Sequence, residues 1–190
     1  MVKLALEVEH IYVVKPVDYK EIVEKAFKVD SIEQWEIKSK HSTDLEKVRG
    51  TVRVRSTNGN KFTMAVKKFI PGTIETVEEE TLITEAMFET FKMIAPMGSV
   101  KKRYHIQEDG YVVEVDVYFD KDGNPTEYCK VDIEVKDASI EEPEIPFATD
   151  RVIGGTRTDE EEEFVKDVFV NMFQIYQENS ILPIDDGTLL

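Results

Sequence analysis

Val113-Glu114-Val115-Asp116 and Val52-Arg53-Val54-Arg55 carry the pattern that decides the fold: charged and apolar residues alternate, and the charges within each stretch share a sign. Residues two apart on a strand point to the same face. Each stretch therefore sets like charges on one side and valines on the other. The pattern recurs at Glu7/Glu9, Glu78/Glu80 and Lys101/Arg103, while Lys130/Asp132/Glu134 alternates with Val131 and Ile133 and carries both signs. One such strand is an ordinary half-exposed strand. A set of them is a sheet that collects charge on one surface, and like charges so collected require a counter-ligand. For carboxylates that ligand is a divalent metal, and for arginine and lysine it is phosphate.

Composition bounds the rest. The 190 residues suit one domain, expected over 1–178 with a tail at 179–190, and 41% are hydrophobic, enough for a substantial core. No apolar run is long enough to span a membrane, and the opening MVKLALEVEH reaches charge at once, so no signal peptide is expected and a cytoplasmic location is the default. Cys129 is the single cysteine, which excludes an internal disulfide and any multi-cysteine metal site. A net charge of −15 argues against an extended nucleic acid lying on the outer surface. Much of the acidity lies in residues 141–144 and 159–163, read as solvated runs; the second also suits the first turn of a helix. Oligomeric state is not legible.

Along the chain, residues 2–14 read as a strand broken by Pro16. A short helix over 19–28 follows, capped by Asp18, with Ile22, Val23, Ala26 and Phe27 as its apolar stripe. Residues 33–41 alternate again, with Trp35 as a packing residue. Strands at 50–56 and 61–68 flank Asn58-Gly59, a hairpin signal, and Pro71-Gly72 turns the chain into a strand over 76–83. Thr84 caps a helix whose buried side is Met87, Phe88, Phe91 and Ile94. Strands at 99–107, 111–119 and 127–136 follow, the last two joined by Asp-Lys-Asp-Gly-Asn-Pro, read as a turn and not a calcium loop. A helix over about 159–178 closes the chain. His10, His41 and His105 have no metal spacing, and Cys129 reads as an unreactive strand residue on the apolar face. The expected class is α+β: an eight-stranded antiparallel β-barrel, charges inside, helices packed outside.

The order of these pairs resembles the CYTH superfamily, the triphosphate tunnel metalloenzymes that include class IV adenylyl cyclases and thiamine triphosphatase. The resemblance covers about residues 4–157. Glu7-Val8-Glu9-His10-Ile11 stands where the family has Glu-x-Glu-x-Lys. Arg53-Val54-Arg55 resembles its Arg-x-Arg strand, and Thr63-Met-Ala-Val-Lys67 its Thr-x-Thr-x-Lys strand. Glu78-Glu79-Glu80, Lys101-Lys102-Arg103-Tyr104, Glu114-Val115-Asp116 and Asp132-Ile133-Glu134 follow in the family's order.

The resemblance implies a tunnel in which Arg53, Arg55, Lys67, Lys101 and Arg103 bind a triphosphate, with Arg157 reaching the mouth. Glu7, Glu9 and Glu134 would be catalytic through a bound Mg2+ or Mn2+, with Asp132 as a further metal ligand. Glu78, Glu80, Glu114 and Asp116 would be the other tunnel acids. The implied activity is metal-dependent hydrolysis of inorganic triphosphate, a nucleoside triphosphate or thiamine triphosphate. Alternatives are adenylyl cyclase chemistry and a triphosphate- or nucleotide-binding module with little turnover. Ile11, in the lysine position, favours the last. His10 points to the apolar side and Lys15 lies two strand steps further along the same face. Slow turnover, raised by Ile11→Lys, is therefore the expectation.

Overall fold

Alternation of valine with charge produces strands wherever the sequence carries it, and helices form where the apolar spacing widens. The computed structural model describes residues 5–41, 48–69, 75–108, 110–135, 144–154 and 158–176. In chain order the elements are β1 (Ala5–Pro16), α1 (Tyr19–Lys25), β2 (Ala26–His41), β3 (Val48–Thr57), β4 (Lys61–Phe69) and β5 (Glu75–Leu82). Then come α2 (Glu85–Ile94), β6 (Met97–Glu108), β7 (Tyr111–Phe119), β8 (Pro125–Glu134), β9 (Thr149–Ile153), α3 (Asp159–Asp167) and β10 (Ile175–Tyr176). The class is α+β, and the sheet is mostly antiparallel. The chain forms two compact units, one built on Ile32–Ser99 and the other on Glu7–Ser31 and Val100–Gln174.

In the first unit β3 pairs with β2 and β4, and β4 with β5. The β3–β4 connection turns at Asn58 and Gly59, which adopt positive φ of 54° and 68°, a conformation open to Asn and Gly at little steric cost. Pro71-Gly72 lies outside the described residues. Trp35 and Val54 form the apolar face, with Ile37, Phe62 and Met64 packed against it, and α2 covers that face with Phe88. Thr84 caps α2 as expected, accepting a hydrogen bond from Met87 N at 3.2 Å. Met87 itself is half exposed and not part of the buried stripe, and Phe88 takes the inward position.

Gly98 is needed by close approach. A Cβ there would lie 2.7 Å from the Gln34 carbonyl oxygen and nearer still to the Trp35 ring. Gly98→Ala is expected to cost about 1–3 kcal/mol through overpacking. Chemical denaturation with Trp35 fluorescence as the probe checks it, and an unchanged midpoint would contradict the packing described.

In the second unit β8 lies between β1 and β7, β7 pairs with β6, and β9 adds to β1. One face is apolar: Tyr12, Val14, Ile106, Val113, Val115, Val117, Cys129, Val131 and Ile133, covered by Ile22 of α1 and by Phe147. The β7–β8 connection is a turn held by Asp120, whose Oδ1 accepts from the backbone N–H groups of Asp122 and Asn124, both at 2.9 Å. Thr158 and Glu161 cap α3 reciprocally, so the acidic run begins a helix.

Several expectations need correction. Among the described residues ten strands stand where eight were expected, because β9 and β10 are short and carry no visible alternation. β9 is recognisable only by its register with β1, from Val13 opposite Ile153 to Lys15 opposite Arg151. The helix expected over 19–28 stops at Lys25, and β2 begins at Ala26; only Ile22 of the expected stripe is buried, with Val23 and Phe27 exposed. The helix expected over 159–178 ends at Asp167 and widens into a π-helical turn, Val168–Met172. That widening places Phe173 flat on Tyr118, ring centroids 4.0 Å apart, so tertiary packing overrides the helical period. The tail at 179–190 lies outside the described residues. Among the described residues no helix is long and apolar enough to cross a membrane.

Candidate functional site

Each unit has a face opposite its apolar one on which charged residues converge. In the first unit the register places Glu36 opposite Arg53, Gln34 opposite Arg55, and Lys67 between Thr51 and Glu78. Arg53 Nη2 donates to Glu78 Oε1 at 3.0 Å and Lys67 pairs with Glu78 Oε2, so one buried carboxylate bridges two cations. Arg55 is half-buried beside buried Gln34 and Thr63. Glu80 is exposed and stands opposite Ala65, in the cross-strand row of Arg53.

The second unit arranges its charges in cross-strand rows. Glu9 stands directly opposite Glu134. One strand step on, Ile11 is opposite Asp132, Asp132 opposite Glu114, and Glu114 opposite His105. In the next row Val13 faces Lys130, Lys130 faces Asp116, and Asp116 faces Arg103. Arg103 grips Asp116 with a fork, Nε to Oδ1 at 2.7 Å and Nη2 to Oδ2 at 2.8 Å, and also meets Glu114 and, at 3.4 Å, Asp132. Lys101 pairs with Asp116 from beside the Tyr118 ring. Lys101 is 4% exposed and Asp116 0%. One end of the face is covered: Val13, Tyr118 and Tyr128 pack with Val165, Val168 and Phe173.

Charge explains the ionisation. Burial would raise the Asp116 pKa, but the Lys101 and Arg103 charges outweigh it and hold the carboxyl well below the usual range. Burial likewise opposes the charged form of Arg103, and Asp116 with Glu114 and Asp132 more than restores it. Lys130 is held charged against burial by Asp132, Glu9 and Asp116.

The structure thus brings Glu9 and Glu134 face to face, and joins Lys101, Arg103, Glu114, Asp116 and Asp132 into one network. Arg53, Lys67 and Glu78 form another. The side chain of Glu7, and all of Arg157, lie outside the described residues. Among the described residues no three acids, histidines or cysteines stand close enough to hold a metal ion. The donor chemistry still fits one: two facing carboxylates, with the buried Asp132 Oδ1 having no hydrogen-bond partner beside them. Lys15 does not replace the cation absent at position 11, since its ammonium is bound to Glu127 at 2.7 Å.

Sequence reasoning missed three participants. Lys130 was noted only for its mixed-sign strand, although its spacing from Asp132 puts it on the charged face. His105 lies between Asp30 Oδ2, at 2.9 Å, and Glu114 Oε1, at 3.5 Å. Asp30 had no signal, because it falls where a helix was expected to give way to strand. Cys129 is buried on the apolar face, and burial pushes its thiol pKa up.

Neither a family model nor a curated protein matches the chain. Among solved structures it is similar to the inorganic triphosphatase NE1496, with 18% identity, 72% of this chain and 84% of that one covered, and a TM-score of 0.40. PH1819 from Pyrococcus horikoshii OT3 gives 17% identity, coverage of 85% and 86%, and a TM-score of 0.43. The Schizosaccharomyces pombe Mediator head module gives 10%, 72% and 86%, and 0.47. Likenesses this distant, one of them to a protein of quite different description, carry no argument about activity. The functional reading rests on the residues.

Proposed function

We propose that this protein is a divalent-metal-dependent hydrolase of a small triphosphate. The observation that carries the reading is burial of charge on a sheet face. A face serving the fold alone gains nothing from charges such as Lys101, Arg103 and Asp116, since apolar residues of similar volume would serve stability as well or better. A ligand that needs several cations and a metal in one place gives those residues a purpose. Closure of the strands into a tunnel around the ligand belongs to the same proposal.

The roles follow from chemistry. Arg53, Arg55 and Arg103 present planar forks suited to phosphoryl oxygens, and Lys67 and Lys101 add point charges. On the second unit's face carboxylates outnumber cations: Glu9, Glu114, Asp116, Asp132 and Glu134 against Lys101, Arg103 and Lys130. A polyanion entering there needs a divalent cation beside it. Glu9 and Glu134, with Glu7 and Asp132 Oδ1, would hold Mg2+ or Mn2+, which would supply polarisation of a phosphoryl oxygen. The carboxylates would also orient an attacking water.

Incubation with inorganic triphosphate, ATP and thiamine triphosphate, each with Mg2+ or Mn2+, tests the reading through charge separation of products. Orthophosphate released from one of them, and none without metal, is expected. Pyrophosphate with a cyclic nucleotide would reassign the chemistry to a cyclase. Neither binding nor turnover of any triphosphate would overturn the proposal.

A further inference from the structure

Position 11 is an apolar gap in a row of charge. Ile11 stands directly opposite Asp132 on the charged face, and the row continues through Glu114 to His105. No cation of β1 enters that row. One does from β8. Lys130 belongs by register to the neighbouring row, opposite Val13, yet its side chain runs along its own strand toward the C-terminal end and sets Nζ 2.6 Å from Asp132 Oδ2. Its ammonium therefore pairs with the carboxylate that Ile11 faces.

The other cations of this face meet protein carboxylates more fully than Lys130 does. Arg103 meets Asp116 with its fork and also contacts Glu114 and Asp132. Lys101 is almost wholly buried against Asp116 and the Tyr118 ring. Lys130 has a single hydrogen-bond partner among the described residues, Asp132 Oδ2. An ammonium has three donors, so two remain beyond that bond. Its side chain is 16% exposed, enough for a ligand on the face to reach it.

Resting on the proposed triphosphate site, we infer that Lys130 is a phosphate-binding residue of this chain and supplies from β8 the ammonium that Ile11 does not supply from β1. Its ligand is a phosphoryl group of an inorganic or organic triphosphate. The row needs one cation, and which of two paired strands bears it makes little difference once a flexible four-carbon stem can reach across. The slow turnover expected from Ile11 then does not follow, and Ile11→Lys is no longer a gain-of-function change.

The test uses inorganic triphosphate with Mg2+ and with Mn2+, measuring single-turnover hydrolysis and dissociation constants for wild type, Lys130→Met, Ile11→Lys and the double variant. Lys130→Met is expected to lose about 100-fold or more in kcat/KM, the usual effect of removing a donor aimed at developing charge. Ile11→Lys should stay within about threefold of wild type, and the double variant should recover at least about tenfold over Lys130→Met. A folded Lys130→Met that binds and hydrolyses as wild type does would overturn the inference while leaving the triphosphatase reading standing. So would a rise of about tenfold or more in Ile11→Lys, an arm that decides the matter alone if Lys130→Met does not fold. A wild type that neither binds nor hydrolyses triphosphate removes the underlying reading and this inference together.

Discussion

Asp116→Asn is expected to destabilise the protein by about 3–5 kcal/mol, the range for breaking a buried charge pair from one side. Asp116 is fully buried, and its two oxygens receive Lys101 and both Nε and Nη2 of Arg103. Asparagine has nearly the same shape but offers one acceptor and no charge. Lys101 and the inner edge of Arg103 then remain in a site of low polarity without their counter-charge, while the cost of burying them is unchanged. For a chain of this length the loss corresponds to a fall of about 6–20 °C in Tm. The pH dependence has a definite sign. The Asp116 carboxyl is held below its usual range, so its stabilisation is complete above the unfolded-state value of about 3.9 and is lost as pH falls beneath it. The gap in Tm between wild type and variant should therefore be level from about pH 7 to 5 and narrow below about pH 4. A gap that is absent at neutral pH, or that widens in acid, would show that Asp116 does not hold the network.

Mg2+ or Mn2+ is expected to raise the melting temperature of the wild type and to lose most of that effect in Glu9→Gln. Glu9 and Glu134 are direct partners across β1 and β8. Like charges so placed repel by about 0.2–1 kcal/mol, and a divalent ion between them turns the repulsion into coordination. At a metal concentration near 100 times Kd the stabilisation is about 2.7 kcal/mol, or about 5–11 °C for a chain of this size. Glu9→Gln acts in opposite directions in the two conditions. Without metal it relieves the repulsion and should be neutral or slightly stabilising; with metal it removes a ligand and should melt below wild type. Differential scanning calorimetry with chelator and with each metal reads both signs. Equal metal shifts in wild type and variant would place the ion elsewhere.

Much of the sheet was legible because alternation is a local property. Val52 to Arg55 and Val113 to Asp116 name both faces of their strands before any partner is known, and Thr84 and the Asn58-Gly59 turn act through their own backbone. Elements formed by contact were not legible. β9 exists because β1 has an edge to pair with, and the π-helical turn after Asp167 exists because Phe173 stacks on Tyr118. The helix at 19–28 failed at its end for the same reason, since Phe27 and Val29 fit either period until β2 found its partner.

The site divides in the same way. From the sequence alone came which residues are charged, which share a strand face, and that arginine, lysine and paired carboxylates together suit a metal and a polyphosphate. Period-two geometry carries that information along one strand and no further. Which strands are neighbours, and in what register, was decided only by the tertiary structure, and register determines every contact across strands. It set Glu9 against Glu134, gave Arg103 three carboxylates, took Lys15 away to Glu127, and set Asp132 opposite Ile11 and Lys130 opposite Val13. Which residue stands opposite another is a fact that no single strand contains.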